Sequence, residues 1–302
     1  MSFDVQVNGY GGVDFNDDDL SLEDFRRACA LLEQQGVTSF LPTIITEEVG
    51  RMQRRIANIA DHCEADPAVA AMVAGIHVEG PFISPKPGFR GAHPEDAIRP
   101  ADPGIARDLV AAGRGRVRLL TLAPEQDPSG EVTRSLAEDG VCVAAGHTDA
   151  TVAQLETAIA AGLKMFTHLG NGCPMQCHRH DNIVQRALYL RRHLWMCFIP
   201  DGVHVDFPAL RNYIDLAGVD RSIVTTDAMS AAGLGPGVYR IGRWEIQIGE
   251  DCAARSPDGS HLIGSAMSWP MSEQNLRGPL GFTEAEIRLM SDSNPRAALG
   301  TI

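Results

Sequence analysis

The stretch that decides the fold is VCVAAGHTDATVAQLETAIAAGLKMFTHLGN, residues 141–171. It predicts a short apolar strand ending at His147, an amphipathic helix capped by Thr148 or Asp149, and a second strand ending at His168. A strand–helix–strand unit of this kind builds parallel sheets, so both histidines should lie at the same edge. Imidazoles held there are good ligands for a transition metal, although a pair of histidines can also simply cap or pack.

Composition limits the fold and the class of partner. The chain has 302 residues, of which 44% are hydrophobic, a length that suits one α/β barrel domain spanning residues 1–302. The net charge of −13, without any basic run, argues against nucleic acid as a partner. Seven scattered cysteines favour a reducing compartment over a disulfide framework. There is no signal-peptide pattern and no apolar run of about 18 residues, so we expect no membrane association and a cytoplasmic protein.

Strands and helices are predicted to alternate along most of the chain. The predicted strands are 3–7, 37–45, 71–78, 116–122, 141–145, 164–167, 195–199 and 222–226. Each of these eight strands except the last is followed by a helical pattern, which predicts a (β/α)₈ barrel. A doubly wound open sheet is the alternative, but the glycine-rich residues 8–12 do not lead into a helix as its fingerprint requires.

The alternation ends after Asp227. Residues 233–263 contain two short strands, 238–241 and 244–248, which predict a β-hairpin excursion. Helices at 266–276, 283–291 and 295–300 are predicted to close the chain.

In a barrel of this kind, reactive groups lie at the carboxyl ends of the strands. The predicted strands end at or next to Gln6, Glu79, His147, His168, His204 and Asp227. One carboxylate, Glu79, and two imidazoles suit a catalytic zinc ion with one open coordination position. Asp227 would face this site without binding the metal, and it could accept a proton from water and return it to a leaving group. Taken singly, Glu79 could instead form a loop ion pair, and Asp227 could cap the turn that follows it.

Weaker candidates surround this set. His77 lies two residues before Glu79 on the same side of its strand, so we expect it to pack under the site or orient it. Gln6 and Asn8 could contact metal or water, although an amide is a poor ligand for zinc. The basic residues 178–180, together with His204, form a candidate anion site. A solvated basic turn is the alternative interpretation of that group.

A single metal ion is expected rather than two. The chain has only two lysines, Lys86 in a loop and Lys164 at the start of a strand, and neither is placed to bridge two metals. The first strand also lacks a His-x-His pair.

Eight stretches in chain order resemble the amidohydrolase superfamily and, within it, the N-acetylglucosamine-6-phosphate deacetylases. They are DVQVNGYGGVDFND, GIHVEGPFISPKPGFRGAHP, AAGHTDAT, FTHLGNGCP, PDGVHVD, TTDAMSAAG, HLIGSAM and SNPRAALG. The resemblance implies hydrolysis of the acetamide of an N-acetylamino sugar 6-phosphate. A related acylated amino sugar, such as the galactosamine epimer or an unphosphorylated sugar, is the alternative substrate. A catalytically inactive metal-binding barrel is the alternative from another class.

The resemblance also implies a role for each matching residue. Glu79, His147 and His168 would hold one divalent ion, with Gln6 nearby; zinc is expected, and iron, cobalt and manganese would also suit. Asp227 would be the catalytic acid/base, and His93 would assist at the acetyl oxygen. The residues implied to contact the sugar phosphate are Ala92, His93, Asn171, Gly172, Arg179, His204, Leu262, Ile263 and Gly264. In that family the phosphate is reached across a dimer interface, so Arg179 and His204 imply a homodimer.

Three features depart from the family pattern. The family's small β-domain is expected to be largely missing here. The usual Asn-Ala-Met is Asn171-Gly172-Cys173, and the usual Arg-Glu-Pro-Gly is RHDN at residues 179–182. The predicted catalytic set is intact, so hydrolysis is better supported than the identity of the sugar.

Overall fold

The computed structural model describes residues 2–241, 244–249, 252–255 and 262–300. Through residue 224 its strands are, in chain order, β1 (Phe3–Val7), β2 (Gly9–Tyr10), β3 (Val13–Asp14), β4 (Ser39–Ile45), β5 (Ile76–Glu79), β6 (Val117–Leu122), β7 (Cys142–Ala145), β8 (Met165–Phe166), β9 (Trp195–Phe198) and β10 (Ser222–Val224). Within the described chain, β1 and β4 to β10 form one eight-stranded parallel sheet in sequence order. The predicted (β/α)₈ barrel is confirmed.

Helices connect successive barrel strands and cover their outer face. Those in the described ranges are α1 (Leu22–Gln34), α2 (Val49–Ala65), α3 (Pro67–Met72), α4 (Pro103–Ala112), α5 (Glu131–Glu138), α6 (Val152–Ala161), α7 (Ile183–Tyr189), α8 (Phe207–Ala217), α9 (Trp269–Arg277), α10 (Glu284–Arg288) and α11 (Asn294–Leu299). A π-helical turn, Leu289–Ser293, joins the last two. Their apolar faces pack on the outward side chains of the strands in the main hydrophobic core.

Two local predictions are wrong. Residues 71 and 72, predicted as the start of the third barrel strand, are the end of helix α3, which forms because Asp66 caps the amides of Ala68 and Val69 and Pro67 occupies the first turn. The cap of α6 is Thr151, which forms a reciprocal capping box with Gln154. The predicted caps of α6 instead bond to Glu125, whose carboxylate accepts the amide of Asp149 at 2.8 Å and the hydroxyl of Thr148.

The inside of the barrel changes from apolar to polar along its axis. Inward residues near the strand starts, such as Leu41 and Leu119, belong to a small apolar cluster. Above them, His77 lies with Nδ1 3.3 Å from Thr43 Oγ1 and Nε2 2.8 Å from Thr121 Oγ1. The hydroxyl of Thr121 is in turn 2.7 Å from that of Thr167. This hydrogen-bonded layer packs under the strand ends, and an orienting role for His77 stays a prediction.

The excursion after β10 is larger than the predicted hairpin. Strands β11 (Gly237–Ile241) and β12 (Trp244–Ile248) pair antiparallel as expected. In the described residues, β13 (Ala253–Arg255) and β14 (Leu262–Ser265) extend them to four strands, while 242–243, 250–251 and 256–261 lie outside the description. A bridge between Ala228 and Ser265 joins this sheet to the barrel end.

Polar groups join the first and last barrel strands, β1 and β10. A parallel bridge links Val7 to Ala228 just beyond β10. Below it, the fully buried carboxylate of Asp4 accepts hydrogen bonds from the hydroxyls of Thr225 at 2.5 Å and Thr226 at 2.6 Å. Burial raises the pKa of Asp4 to about 6 despite these bonds.

We predict a specific pH dependence for Asp4→Asn. The unfolded chain releases the Asp4 proton near pH 3.8, whereas the folded chain keeps it to about pH 6, so Asp4 lowers wild-type stability as pH rises through this window. Relative to the variant, the wild type should lose about 3 kcal/mol of unfolding free energy between these pH values. Urea unfolding at several pH values measures the difference.

Asp66→Asn provides a control of opposite sign. The side chain of Arg26 and the amides of α3 lower the pKa of Asp66, so its contribution appears as pH rises and is lost in acid. A pH-independent difference between wild type and Asp4→Asn would contradict the prediction.

Candidate active site

Three buried ligand groups meet at the carboxyl end of the barrel. His168 Nε2 lies 2.9 Å from Glu79 Oε1, and His147 Nε2 lies 3.4 Å from the same oxygen. One ligand atom from each residue falls within 4.8 Å of the other two, the one such group of three or more among the described residues. One carboxylate and two imidazoles in this arrangement can hold a divalent ion. These are the three metal ligands predicted from the sequence, and the structure brings them together.

The backbone turns sharply after three of the strands that lead to site residues. Five described non-glycine residues have positive φ, and three of them are His147 at 49°, His168 at 29° and Asp227 at 50°. Such conformations are costly for side chains other than glycine and cluster at functional sites. They direct these side chains over the end of the barrel rather than along the sheet.

The ring of His147 is held from several sides. Its Nδ1 lies 2.9 Å from the carbonyl oxygen of Phe89. Because a carbonyl can only accept, Nδ1 is the donor and Nε2 is left for the site. The ring also lies between Gly91 and Gly172, where added Cβ atoms would come within 3.1 Å and 2.9 Å of it.

Glu79 is a buried carboxylate surrounded by donors. Gln6 Nε2 donates to Glu79 Oε1 at 3.1 Å, alongside the two ligand histidines. Burial alone would raise the pKa of Glu79, but the hydrogen bonds and charge of His147 and His168 outweigh it and hold the pKa well below its usual range. The group is therefore an anion, as a carboxylate that binds a metal must be.

Asp227 lies beside this group as an additional carboxylate. Burial raises its pKa, and the negative charge of Glu79 adds to that effect. The side-chain amide of Asn8 donates to Asp227 Oδ1 at 2.7 Å. The amide of Ser265, in β14, donates to the backbone carbonyl of Asp227 at 2.9 Å. A buried carboxylate with a raised pKa is suited to take up and release a proton.

His93 comes from the long loop after β5 and approaches the same centre. Its Nε2 lies 3.3 Å from Nε2 of His147 and 3.8 Å from Glu79 Oε2. Its Nδ1 is buried without a hydrogen-bond partner. Burial, together with the nearby His147, lowers the pKa of His93 to about 3, so the ring is neutral and can donate one hydrogen bond.

A pocket opens over these groups. Its lining residues are Asn8, Ile45, Glu79, Gly91, Ala92, His93, His147, His168, Asn171, Asp227, Met229, Leu262 and Gly264. Ile45, Gly91 and Met229 were not predicted. The two apolar side chains carry no polar signal, although Ile45 is the last residue of β4 and Met229 lies two positions after Asp227.

Four other predicted site residues are not among those that line this pocket: Gln6, Gly172, Arg179 and His204. Arg179 is exposed, in the loop that precedes α7. His204 is buried, with Nδ1 2.5 Å from Asp201 Oδ2 and Nε2 without a partner. Gly172 packs against His147 rather than facing the pocket. Gln6 contacts Glu79 from below, and Ile263 lies in β14.

Not one helix in the described part of the chain combines the length and apolar character needed to cross a bilayer.

Comparison with known proteins gives consistent similarities, although no protein-family model matches the chain. The chain is 32% identical over 299 residues to N-acetylglucosamine-6-phosphate deacetylase of Bacillus subtilis, covering 98% of this chain and 74% of that protein. It is 31% identical over 297 residues to N-acetylgalactosamine-6-phosphate deacetylase of Escherichia coli O157:H7, covering 98% and 76%.

A solved structure agrees with these similarities. It is a mutant N-acetyl-D-glucosamine-6-phosphate deacetylase from Mycobacterium smegmatis in complex with N-acetyl-D-glucosamine-6-phosphate. It matches 99% of this chain and 77% of its own with a TM-score of 0.89 and 30% identity. Each of the three relatives thus extends beyond the part that this chain matches.

We predict that the purified protein binds one divalent ion per chain and that His168→Ala weakens this binding at least about 10-fold, because one of three ligands is lost. Elemental analysis after dialysis against a metal buffer measures the content. His62→Gln is the matched control. His62 is also buried, but it lies in helix α2 and bonds to the carbonyl of Leu20. Equal metal content in wild type and His168→Ala would exclude His168 as a ligand.

Proposed function

The chain belongs to the N-acetylglucosamine-6-phosphate deacetylase family, and we propose that it hydrolyses the acetamide of N-acetyl-D-glucosamine 6-phosphate to glucosamine 6-phosphate and acetate. The membership confirms the family predicted from the motifs. The observation that carries the proposal is the presence of Asp227, which is held by Asn8 rather than by the ligand set, in one pocket with Glu79, His147 and His168. A metal-ligand set beside a separate acid/base is what metal-assisted amide hydrolysis requires.

In this proposal Glu79, His147 and His168 hold one divalent ion. Zinc is the expected metal, and iron, cobalt or manganese would suit the same ligands. Such an ion supplies Lewis acidity toward a carbonyl and lowers the pKa of water. The bond from Gln6 to Glu79 favours an orienting role for Gln6 over a ligand role, because its amide nitrogen donates to the carboxylate.

Asp227 moves the proton in the proposed reaction. As a carboxylate it accepts a proton from the attacking water, and as an acid it delivers that proton to the amide nitrogen while the C–N bond breaks. Its raised pKa makes it a stronger base than an exposed aspartate and therefore supports this role.

His93 acts at the acetyl oxygen in the same scheme. A neutral imidazole can donate a hydrogen bond to an oxygen on which negative charge develops, without repelling the nearby imidazoles. Its place in the pocket lining, next to His147 and Glu79, supports this assignment.

The sugar and its phosphate are assigned to different parts of the surface. Ala92, Asn171, Leu262 and Gly264 line the pocket and are proposed to contact the sugar. Gly172 and Ile263 are retained as proposed contacts beside them. Arg179, exposed on its loop, is proposed to bind phosphate in the pocket of a second copy of the chain. His204 is proposed to assist there, which makes the functional unit a homodimer.

The second candidate function is deacetylation of N-acetyl-D-galactosamine 6-phosphate. The similarity to the Escherichia coli enzyme named for that sugar, at 31% identity over 98% of this chain, favours it specifically. We also propose a cytoplasmic location, since the free thiols include Cys29, Cys63, Cys142, Cys173, Cys177 and Cys197 and a reducing compartment keeps them so.

Acetate release from both epimeric sugar phosphates tests the function. We expect turnover of both with higher kcat/KM for the glucosamine derivative. Asp227→Asn should retain metal but lose about 100-fold or more in kcat, because the acid/base is gone. Failure of the wild-type, metal-loaded protein to release acetate from either sugar would reject the proposed function, and full activity of Asp227→Asn would remove Asp227 from its role.

Arg179→Ala tests the phosphate assignment. We expect KM for the 6-phosphate to rise about 10-fold or more through loss of a charge-assisted contact, with activity on the unphosphorylated sugar unchanged. Arg192→Ala, a change of equal charge at another exposed position, is the control. Equal effects on both substrates would show that Arg179 does not bind phosphate.

A further inference from the structure

We propose that Asn8 is a positioning residue for the reaction, whose side-chain amide holds one oxygen of Asp227 so that the other faces the pocket. The inference rests on the proposed function, because it concerns how Asp227 is aimed. Among the described residues, Asn8 alone donates a hydrogen bond to this carboxylate, from Nδ2 to Oδ1 at 2.7 Å. A bond of this length to a charged acceptor is short and strong.

The backbone fixes the amide in place. The amide of Asn8 donates to the carbonyl oxygen of Ala228 at 2.6 Å, and the amide of Gly9 reaches the same oxygen at 3.2 Å. Val7 and Ala228 form the parallel bridge between the first and last barrel strands. Asn8 and Asp227 therefore lie on two segments that are hydrogen-bonded to each other through Ala228, the residue after Asp227. Little freedom remains for one side chain to move relative to the other.

A second buried asparagine shows what a purely structural amide looks like. Asn16 donates from Nδ2 to the carbonyl of Thr43 at 3.0 Å and accepts the amide of Ile45 at 3.0 Å, so both ends of its side chain are bonded. Asn8 is bonded at its donor end, whereas its Oδ1 is buried without a partner. An unpaired buried acceptor lowers stability, so Asn8 serves the fold less well than Asn16 does.

The chemistry of Asp227 explains the use of a neutral donor. A proton-transfer carboxylate must exist as an anion and as an acid, and the bond from Asn8 to Oδ1 can persist in both forms if the mobile proton occupies Oδ2. A cation at this position would disfavour proton uptake by Asp227, and a second carboxylate would repel its anion. An amide fixes the direction of the carboxylate without adding charge.

Asn8→Ala should lower kcat about 10- to 100-fold on the acetylated sugar phosphate, with KM and metal content within about twofold of wild type. The reason is that the variant loses the orientation of the Asp227 carboxylate but keeps the groups that bind substrate and metal. Asn16→Ala is the matched control: it should lower the unfolding free energy and leave kcat unchanged. If Asn8→Ala does not fold, the uncharged Asn8→Leu, of similar volume, removes the same donor and should show the same separation of kcat from KM.

A double-mutant cycle separates positioning from a general structural effect. In the Asp227→Asn background, Asn8→Ala should cause no further loss of residual activity, since there is no acid/base left to aim. An equal fold-loss in both backgrounds, or an unchanged kcat in Asn8→Ala, would overturn the inference while leaving the proposed function standing. A wild-type protein without acetate release would overturn both.

Discussion

The buried carboxylate of Glu79 is the constraint on which the site depends. An ionised group with 3% of its surface exposed is costly unless donors surround it. Its partners, Gln6, His147 and His168, come from or directly follow three different strands, β1, β7 and β8. Only a sheet that curves round on itself brings those strand ends within reach of one oxygen. The closed barrel and the ligand set are therefore one arrangement. When a cation binds, His147 and His168 would contact it in place of the Glu79 oxygen.

Three side chains of this site are positioned by a strained backbone conformation. His147, His168 and Asp227 all have positive φ, which their side chains disfavour, so the surroundings must hold them. For His147 the restraint is the carbonyl of Phe89 and the close approach of two glycines. For Asp227 it is Asn8 on one side and the amide of Ser265 on the other. Both restraints come from segments outside the barrel strands, so those segments stabilise the site as well as covering it.

The sequence pattern predicts the barrel and the three ligands because each depends on local order. Apolar runs that end in a histidine or glutamate mark the strand ends, and a parallel sheet aligns those ends whatever the details. Contacts between residues that are far apart in the sequence cannot be predicted in this way. Asn8 and Asn16 are the same residue type eight positions apart, yet one bonds Asp227 and the other bonds β4. Asp4 likewise shows no sign in sequence that it would be buried between two threonines.

The positions at which this sequence departs from the family pattern lie apart from the residues proposed to catalyse the reaction. Ligands and acid/base lie at strand ends, whereas Gly172, Cys173 and residues 180–182 lie in the loop between β8 and α7. Gly172 has a φ of 61°, which favours glycine over the alanine usual in the family, and a Cβ at this position would come within 2.9 Å of the His147 ring. The exchange therefore removes a side chain next to a ligand without altering the ligand itself. Because strand ends set the chemistry and loops set the shape of the pocket, these departures should change which sugar is accepted before they change whether an amide is hydrolysed.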